Sequence, residues 1–371
     1  MRWDDRVSEQ IGTEGQGERS DRLEGAAAVR PEDAFDLEAV RAWLGKQGVA
    51  LDGDVEIQQF GGGASNLTYS LRTADQDLIL RRPPAGKKAA GAHDMGREFR
   101  IQSALAEPFG LVPEMVAFCD DESVLGSDFY VMQRLDGIIP RRDLPADMEL
   151  SQAEARDLCR TFVDTLIKLH RVDTSIPAIA AIGKGSGYVE RQVTGWSARY
   201  RNAITDDAPG FEKVMSWLAE RMPADVANCV IHNDYRFDNV VLDKQDPSRI
   251  IGVLDWEMAT LGDPLMDLGG NLAYWVTDAD DEGFQLVRRQ PSNVPGMFDR
   301  REFVDYYCEQ MGFSVTPEQW KFYEVYGLFR FAVIAQQIYY RYFHGQTTNE
   351  MYALFGQAVH YYEDRCLRVI G

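Results

Sequence analysis

Thiols and positive charge are both scarce in this chain of 371 residues. The five cysteines, at positions 119, 159, 229, 308 and 366, lie far apart and include no Cys-x-x-Cys pair. That spacing argues against a zinc ribbon or a disulfide framework and fits reduced, buried thiols. Lys and Arg number 39 against 59 Asp and Glu, a formal net charge of −20, which repels nucleic acid and anionic membranes. Long apolar runs are missing too. The stretch 326–343 comes nearest, but Arg330, Gln336, Gln337 and Arg341 interrupt it, so no membrane span is expected. Met1-Arg2-Trp3-Asp4-Asp5 is charged, with no apolar segment behind it. No secretory signal is read there, and the expected location is cytoplasmic. On that reading the Asn66-Leu67-Thr68 sequon is irrelevant.

What is present is the composition of a globular protein, 45% hydrophobic and 26% charged, at a length that predicts two lobes. Residues 1–34 are rich in Gly, Ser, Glu and Arg without apolar period, and are expected to form a disordered tail. A helix should start at Asp36 as N-cap, place Leu37, Val40, Trp43 and Leu44 on one face and stop at Gly48. Strand-like segments follow at 55–60, 67–72 and 78–82, then a helix over 97–105 and a strand over 129–135. The region 35–135 therefore reads as a small, β-rich lobe.

From Ser151 the pattern is mainly helical. Ser151 and Glu154 form a capping box, and Leu158, Phe162, Leu166 and Leu169 make a core-facing stripe. One break interrupts it. Cys229-Val230-Ile231 and Val240-Val241-Leu242 flank the polar segment His232 to Asn239, and a turn leads to a further strand at 250–254 and then Asp255.

The break reads His232-Asn233-Asp234-Tyr235-Arg236-Phe237-Asp238-Asn239, or His-x-Asp-x-x-x-x-Asn. Phosphoryl transfer to a hydroxyl needs a carboxylate for the acceptor proton, oxygen ligands for Mg²⁺ and a cation against the moving phosphoryl charge. Asp234 suits the first role, Asn239 and Asp255 the second, and Arg236 the third. His232 is read as a brace for the loop. Asp263-Pro264 should cap the next helix, Asp267 on that helix should brace the loop, and His170 should be a packed or capping histidine.

This segment resembles the catalytic loop of protein kinases and, more closely, of aminoglycoside phosphotransferase-like enzymes, and the roles above are carried over from the kinase pattern. The resemblance covers nearly everything after residue 35. It implies an α+β, bilobal protein-kinase-like fold, with a small β-rich nucleotide-binding lobe and hinge at 35–135 and a larger, mainly helical catalytic lobe at 136–371. Its cofactors would be ATP and Mg²⁺, and its partner a small-molecule hydroxyl acceptor. Gly61-Gly62-Gly63-Ala64-Ser65-Asn66 resembles the loop over the nucleotide phosphates, with Gly62, Gly63, Ser65 and Asn66 as contacts. Arg81 would take the position of the kinase lysine, paired with Glu98. Met132-Gln133-Arg134-Leu135 resembles the hinge, where backbone groups of Gln133 and Leu135 would meet adenine.

Two further segments, Gly187-Tyr188-Val189-Glu190-Arg191-Gln192 with Trp196, and 323–330, resemble a narrower group that includes the kinase-like domain fused to some acyl-CoA dehydrogenases. That likeness implies a hydroxy acid or hydroxyacyl thioester as acceptor, lined by Arg191, Trp196, Tyr323 and Arg330. No dehydrogenase segment is read in the chain. The acidic residues Asp278, Asp280, Asp281 and Glu282 are expected to form a solvated loop. Two alternatives stand beside an active kinase: a catalytically inactive kinase-like nucleotide-binding protein, and a metal-dependent hydrolase built on His232, Asp234 and Asp255.

Overall fold

A computed structural model describes residues 23, 25–61, 66–84, 94–347 and 349–371. Their contacts divide into two compact units. One holds the described residues up to Met95 together with Ala117–Met132, and the other holds Gly96–Val116 and Gln133–Gly371.

The smaller unit is built on alternating apolar segments. Strands β1 (Ala26–Ala27), β2 (Glu56–Phe60), β3 (Leu67–Arg72), β4 (Asp77–Arg82), β5 (Met115–Cys119) and β6 (Phe129–Gln133) form one sheet in the order β1-β2-β3-β4-β6-β5. Strands β3 and β4 run antiparallel, with Leu67 opposite Arg82 and Arg72 opposite Asp77. In β4 the consecutive residues Leu78, Ile79 and Leu80 are all buried, as in a strand covered on both faces. Helices α1 (Leu37–Lys46), α2 (Met95–Leu105) and α3 (Glu122–Leu125) interleave with the strands, and α2 counts with the larger unit from Gly96 onward. Asp36 caps α1 by accepting from the Ala39 amide at 3.1 Å. Val40 and Leu44 are buried, and the Trp43 ring meets Phe129 edge-on at 4.9 Å.

The expected tail is too long at its C-terminal end. Residues 25–34 include β1, which pairs with β2, and a short 3₁₀ turn at Pro31–Asp33. The buried Asp33 carboxylate accepts from Gln59 at 2.8 Å and from Arg30 at 2.7 Å, while its carbonyl accepts from Tyr69 and Arg82. A polar composition does not forbid order when a few such residues find buried partners. Apart from Leu23, the remainder of the expected tail lies outside the described residues.

The larger unit contains α4 (Gln152–His170), α5 (Pro177–Ala180), α6 (Tyr188–Asn202) and α7 (Glu212–Glu220), then two small antiparallel ladders. One pairs β7 (Cys229–Ile231) with β10 (Thr260–Gly262), and the other pairs β8 (Val240–Leu242) with β9 (Ile250–Val253). Helices α8 (Pro264–Leu272), α9 (Glu282–Leu286), α10 (Arg300–Met311), α11 (Pro317–Phe343) and α12 (Leu354–Ile370) complete it. The Ser151–Glu154 capping box is formed in both directions at α4, and Leu158, Phe162, Leu166 and Leu169 are buried. Helices α8 and α11 pack closely because Gly269 and Gly327 face each other's backbones. A Cβ on Gly327 would run into the Gly269 carbonyl, and one on Gly269 into the Tyr323 carbonyl. All five cysteines are buried and free. Among the described residues no helix is long and apolar enough to cross a membrane.

The acidic run at 278–282 is solvated at Asp278, Asp281 and Glu282 but not at Asp280. The Asp280 side chain is only 4% exposed and pairs with Arg300 at 2.6 Å and Arg365 at 3.0 Å. Asp281 meets Arg368 at 3.2 Å, and Arg365 lies over the Phe284 ring at 3.8 Å. The network ties the start of α9 to α10 and α12 through arginines distant in sequence, which a composition window cannot register. Burial alone would raise the Asp280 pKa, but Arg300, Arg365 and the Thr277 amide hold it down at about 2. A depressed carboxylate contributes stability above its ordinary pKa and loses it as pH falls through the folded value. The contribution, on the order of 2 kcal/mol, is therefore expected to disappear between about pH 4 and pH 2. Asp280→Asn should cost about 2 kcal/mol in urea unfolding at neutral pH, because Arg300 keeps the Trp275 carbonyl and Arg365 keeps Tyr361 while both lose their ion pair. A loss under 1 kcal/mol would make the network a surface ornament.

Candidate active site

The polar segment 232–239 leaves β7 and enters β8, so the two ladders hold its ends. Its middle is anchored by aromatics: Phe162 on α4 stacks on Tyr235 at 4.4 Å and on Phe237 at 4.2 Å. The Tyr235 hydroxyl donates to the Phe162 carbonyl at 2.8 Å. The stripe that packs α4 into the core thus also seats the loop.

His232 is fully buried and links the loop to the segment after β9. Its Nδ1 lies 3.2 Å from the Asp234 amide and its Nε2 lies 2.9 Å from the Leu254 carbonyl. An amide can only donate and a carbonyl only accept, so the ring is neutral with its proton on Nε2. Leu254 also donates to the Asn239 carbonyl at 2.8 Å, which fixes both backbone groups of the residue before Asp255. Both ring nitrogens of His232 are therefore occupied, as a brace requires. A metal ligand would need one of them.

Asp267, one turn into α8, grips the loop from the other side. Its carboxylate accepts from the His232 amide at 2.9 Å and the Asn233 amide at 2.7 Å, and contacts His170 Nε2 at 3.1 Å. The other nitrogen of His170 meets the Tyr307 hydroxyl at 2.6 Å, so His170 is packed and orients Asp267. Burial raises the Asp267 pKa, yet the His170 hydrogen bond and the His232 amide outweigh it and hold the carboxyl below its usual range. Asp263 caps α8 by accepting from the Leu265 and Met266 amides. It also accepts from Val226 at 2.6 Å.

Asn233 and Asp255 both adopt left-handed backbone, each at φ 65°, a conformation that costs a side-chain-bearing residue about 1–3 kcal/mol. Asn233 is clamped there at every polar group. Its amide donates to Asp267, its Nδ2 to the Met258 carbonyl at 3.0 Å, and its Oδ1 accepts from Tyr188 at 2.8 Å. Its carbonyl accepts from Arg330 at 2.7 Å.

Next along the loop, the Asp234 side chain keeps 19% exposure. Asn239 Nδ2 donates to its Oδ2 at 3.1 Å and to its carbonyl at 2.8 Å. Arg236 Nε lies 3.2 Å from Asp234 and 3.3 Å from Asp238, with its guanidinium over the Tyr274 ring at 4.9 Å. Asp234, Arg236 and Asn239 are thus one cluster. On α2, Arg97 donates to the Glu257 carbonyl at 2.8 Å and also to that of Ala259, which pins the segment just after Asp255. No local pattern marks Arg97 for this, since its partners lie about 160 residues away.

The remaining candidates fall in several places. Gly62, Gly63 and Ser65 lie outside the described residues. Asn66 and Arg81 belong to the smaller unit and Glu98, Gln133 and Leu135 to the larger. Arg81 donates to the Tyr130 hydroxyl at 3.3 Å, whereas Arg82 is engaged by the Asp33 carbonyl and Tyr69. Glu98 is buried. The Gln133 amide donates to the Glu114 carbonyl at 2.8 Å, and the Leu135 side chain packs on Gly252. Among the acceptor candidates, Arg330 and Trp196 meet, the guanidinium lying 5.4 Å from the ring. Tyr323 is buried against α8 and is a packing residue. Arg191 is exposed and bound to the Gly185 and Ser186 carbonyls at the head of its own helix.

An antiparallel sheet with its helix α2, followed by a helical unit carrying this loop between two short ladders, defines a kinase-like fold. The family model described as "Phosphotransferase enzyme family" matches residues 56–303, and the chain belongs to that family. It is 34% identical over 327 residues to acyl-CoA dehydrogenase family member 10 of Mus musculus, covering 86% of this chain and 30% of that protein. The chain spans between 30% and 43% of the length of the curated relatives it matches. A Ralstonia eutropha structure assigned by name to the aminoglycoside phosphotransferases superposes with a TM-score of 0.75 at 28% identity, covering 91% of this chain and 98% of that one. The APH(4)-Ia ternary complex with AMP-PNP and hygromycin B shares the fold, with a TM-score of 0.56 at 15% identity over 90% and 97% of the chains.

Asp267→Ala is expected to destabilise the protein by about 3–5 kcal/mol in denaturant titration, because two buried amides and a histidine lose their acceptor together. The depressed carboxyl sets the pH sign. The hold on the loop stays intact at neutral pH and weakens only as pH drops below the ordinary carboxylate range. An alanine variant of wild-type stability would remove Asp267 as the anchor.

Proposed function

We propose that this chain transfers the γ-phosphoryl group of ATP to a hydroxyl of a small molecule, with Asp234 as the general base. The observation that carries this is the cluster at the end of the loop, a partly exposed Asp234 carboxylate held by Asn239 and Arg236. The acceptor oxygen bonds to the γ-phosphorus, its proton passes to Asp234, and the bond to the β,γ-bridging oxygen breaks to leave ADP. Arg236 would face the transferring charge from its place beside Asp234. Loop residues Gly62, Gly63, Ser65 and Asn66 would cradle the phosphates, with Arg81 and Glu98 as a coupled pair on the nucleotide. At the hinge, the Gln133 amide is spent on Glu114, so Gln133 would offer its carbonyl and Leu135 its amide.

Asn239 and Asp255 would hold Mg²⁺. The fit is good: both Nδ2 bonds of Asn239 go to Asp234, which turns Oδ1 away from the base, and an amide plus a carboxylate is a hard-oxygen donor set. When bound, the ion would offset negative charge on the phosphates. AMP-PNP in the APH(4)-Ia complex supports nucleotide use by this fold. For the acceptor we favour a hydroxy acid or hydroxyacyl thioester, because the similar curated proteins are named acyl-CoA dehydrogenase family members.

A screen of hydroxylated metabolites for ATP-dependent phosphorylation tests the reading. Hydroxy acids or their thioesters should be turned over, and kanamycin-type aminoglycosides should be poor substrates. ATP binding without transfer to any acceptor would favour the inactive alternative. Asp234→Asn should lower turnover by about 100-fold or more while leaving Mg-ATP affinity largely intact, and normal turnover would remove Asp234 as base. Asp255→Ala should weaken Mg-ATP binding and turnover together, with Asn239→Ala milder. Nucleotide titrations with and without Mg²⁺ check this, and an unchanged metal dependence in Asp255→Ala would end the ligand assignment.

A further inference from the structure

Arg330 sits on α11, 4% exposed, and among the described residues no carboxylate lies within ion-pairing distance of it. Burial works against its charge, and Tyr326, Tyr274, Tyr188 and Asp234 more than offset it; an arginine is retained in such a place only where its hydrogen bonds are well made. The short one, at 2.7 Å, goes to the Asn233 carbonyl. That oxygen belongs to the peptide joining Asn233 to Asp234, and the N–H of the same peptide donates to His232 Nδ1. One peptide plane is therefore held at both ends, by a guanidinium on its oxygen and an imidazole on its nitrogen. Its orientation sets the backbone of the residue proposed as base.

We propose that Arg330 is a positioning residue for Asp234, acting through the Asn233–Asp234 peptide. Three features make the hold stiff. Tight packing of α8 on α11 brings Arg330 over Gly270, where a Cβ would crowd its Nη1 at 3.2 Å. Asp267 on that same α8 takes the Asn233 amide, so two helices in close contact grip the N–H and C=O of one residue. The guanidinium also rests on Trp196 and reaches the Met258 sulfur, which limits its freedom to swing away. The left-handed Asn233 is the reason a hold is needed, because without it the peptide can relax toward a commoner conformation and carry the Asp234 carboxylate with it. Lysine keeps the charge but lacks the flat guanidinium that rests on Trp196 while one nitrogen reaches the carbonyl.

The inference rests on the phosphotransferase reading for its kinetic arm only. Wild type, Arg330→Lys and Arg330→Met are compared by hydrogen exchange of the full chain, following peptides that span 232–239 and, as controls, peptides in α4 and α12. Transfer from Mg-ATP is then measured to hydroxybutyrate and to its neutral methyl ester. Faster exchange confined to 232–239 is expected in both variants. With it kcat should fall by about 10-fold for lysine and about 100-fold for methionine, with KM for both acceptors and Mg-ATP affinity nearly unchanged. Millimolar guanidinium should restore part of kcat in Arg330→Ala. A rise in KM confined to the carboxylate acceptor would overturn the proposal and make Arg330 an acceptor-anion contact. Unaltered exchange at 232–239 in a folded Arg330→Lys would overturn it as well. If wild type phosphorylates neither acceptor, the acceptor reading fails while the exchange arm still decides the clamp. If Arg330→Met does not fold, the lysine variant carries the test.

Discussion

A single buried carboxylate, that of Asp267, carries the geometry of the loop. Taking it out of water costs several kcal/mol unless every oxygen is satisfied. Here two consecutive loop amides and His170 meet that need. The arrangement works in both directions. The amides of His232 and Asn233, leaving β7 at a point where no strand partner takes them, need an acceptor as much as Asp267 needs donors. Because α8 starts with Pro264 under the Asp263 cap, Asp267 lies one turn in and its side chain reaches back to the loop.

From that anchor the rest of the site follows by short links. His232 passes the constraint to Asp234 through its Nδ1 and to Leu254 through its Nε2, so the segments before Asp234 and before Asp255 are tied together. Arg97 holds the far side of Asp255 by its backbone carbonyls. Two left-handed residues, Asn233 and Asp255, are sustained within this frame. Such strain persists only where the surroundings over-determine it, and it gathers where a side chain must be aimed.

Much of this was legible in order along the chain. The caps at Asp36 and Ser151, the strands at β3 and β8 and the stripe on α4 are local patterns, and local patterns survive folding when nothing opposes them. The His-x-Asp-x-x-x-x-Asn spacing named Asp234 and Asn239 and led to Asp255. Readings that depended on remote partners fared worse. Asp280 looks solvated until Arg300 and Arg365 arrive from α10 and α12. Residues 25–34 look disordered until Gln59 and Tyr69 supply partners for Asp33. Tyr323 looked available to a ligand, but the glycine at 269 draws its backbone into the α8 contact.

By itself the sequence determined the family, the division into a β-rich and a helical part, and the identity of the residues in the loop, because each is written in local patterns read in order along the chain. Only the tertiary structure decided what each side chain touches. It made His232 a neutral brace by surrounding it with an amide and a carbonyl. It turned Arg330 toward the Asn233 carbonyl, and it bound Arg191 to the carbonyls at the head of its own helix. The physical reason is reach. A buried polar group takes whichever partner the packing of helices brings within about 3 Å, and residues 97 positions apart carry no mark of that meeting in their own neighbourhoods.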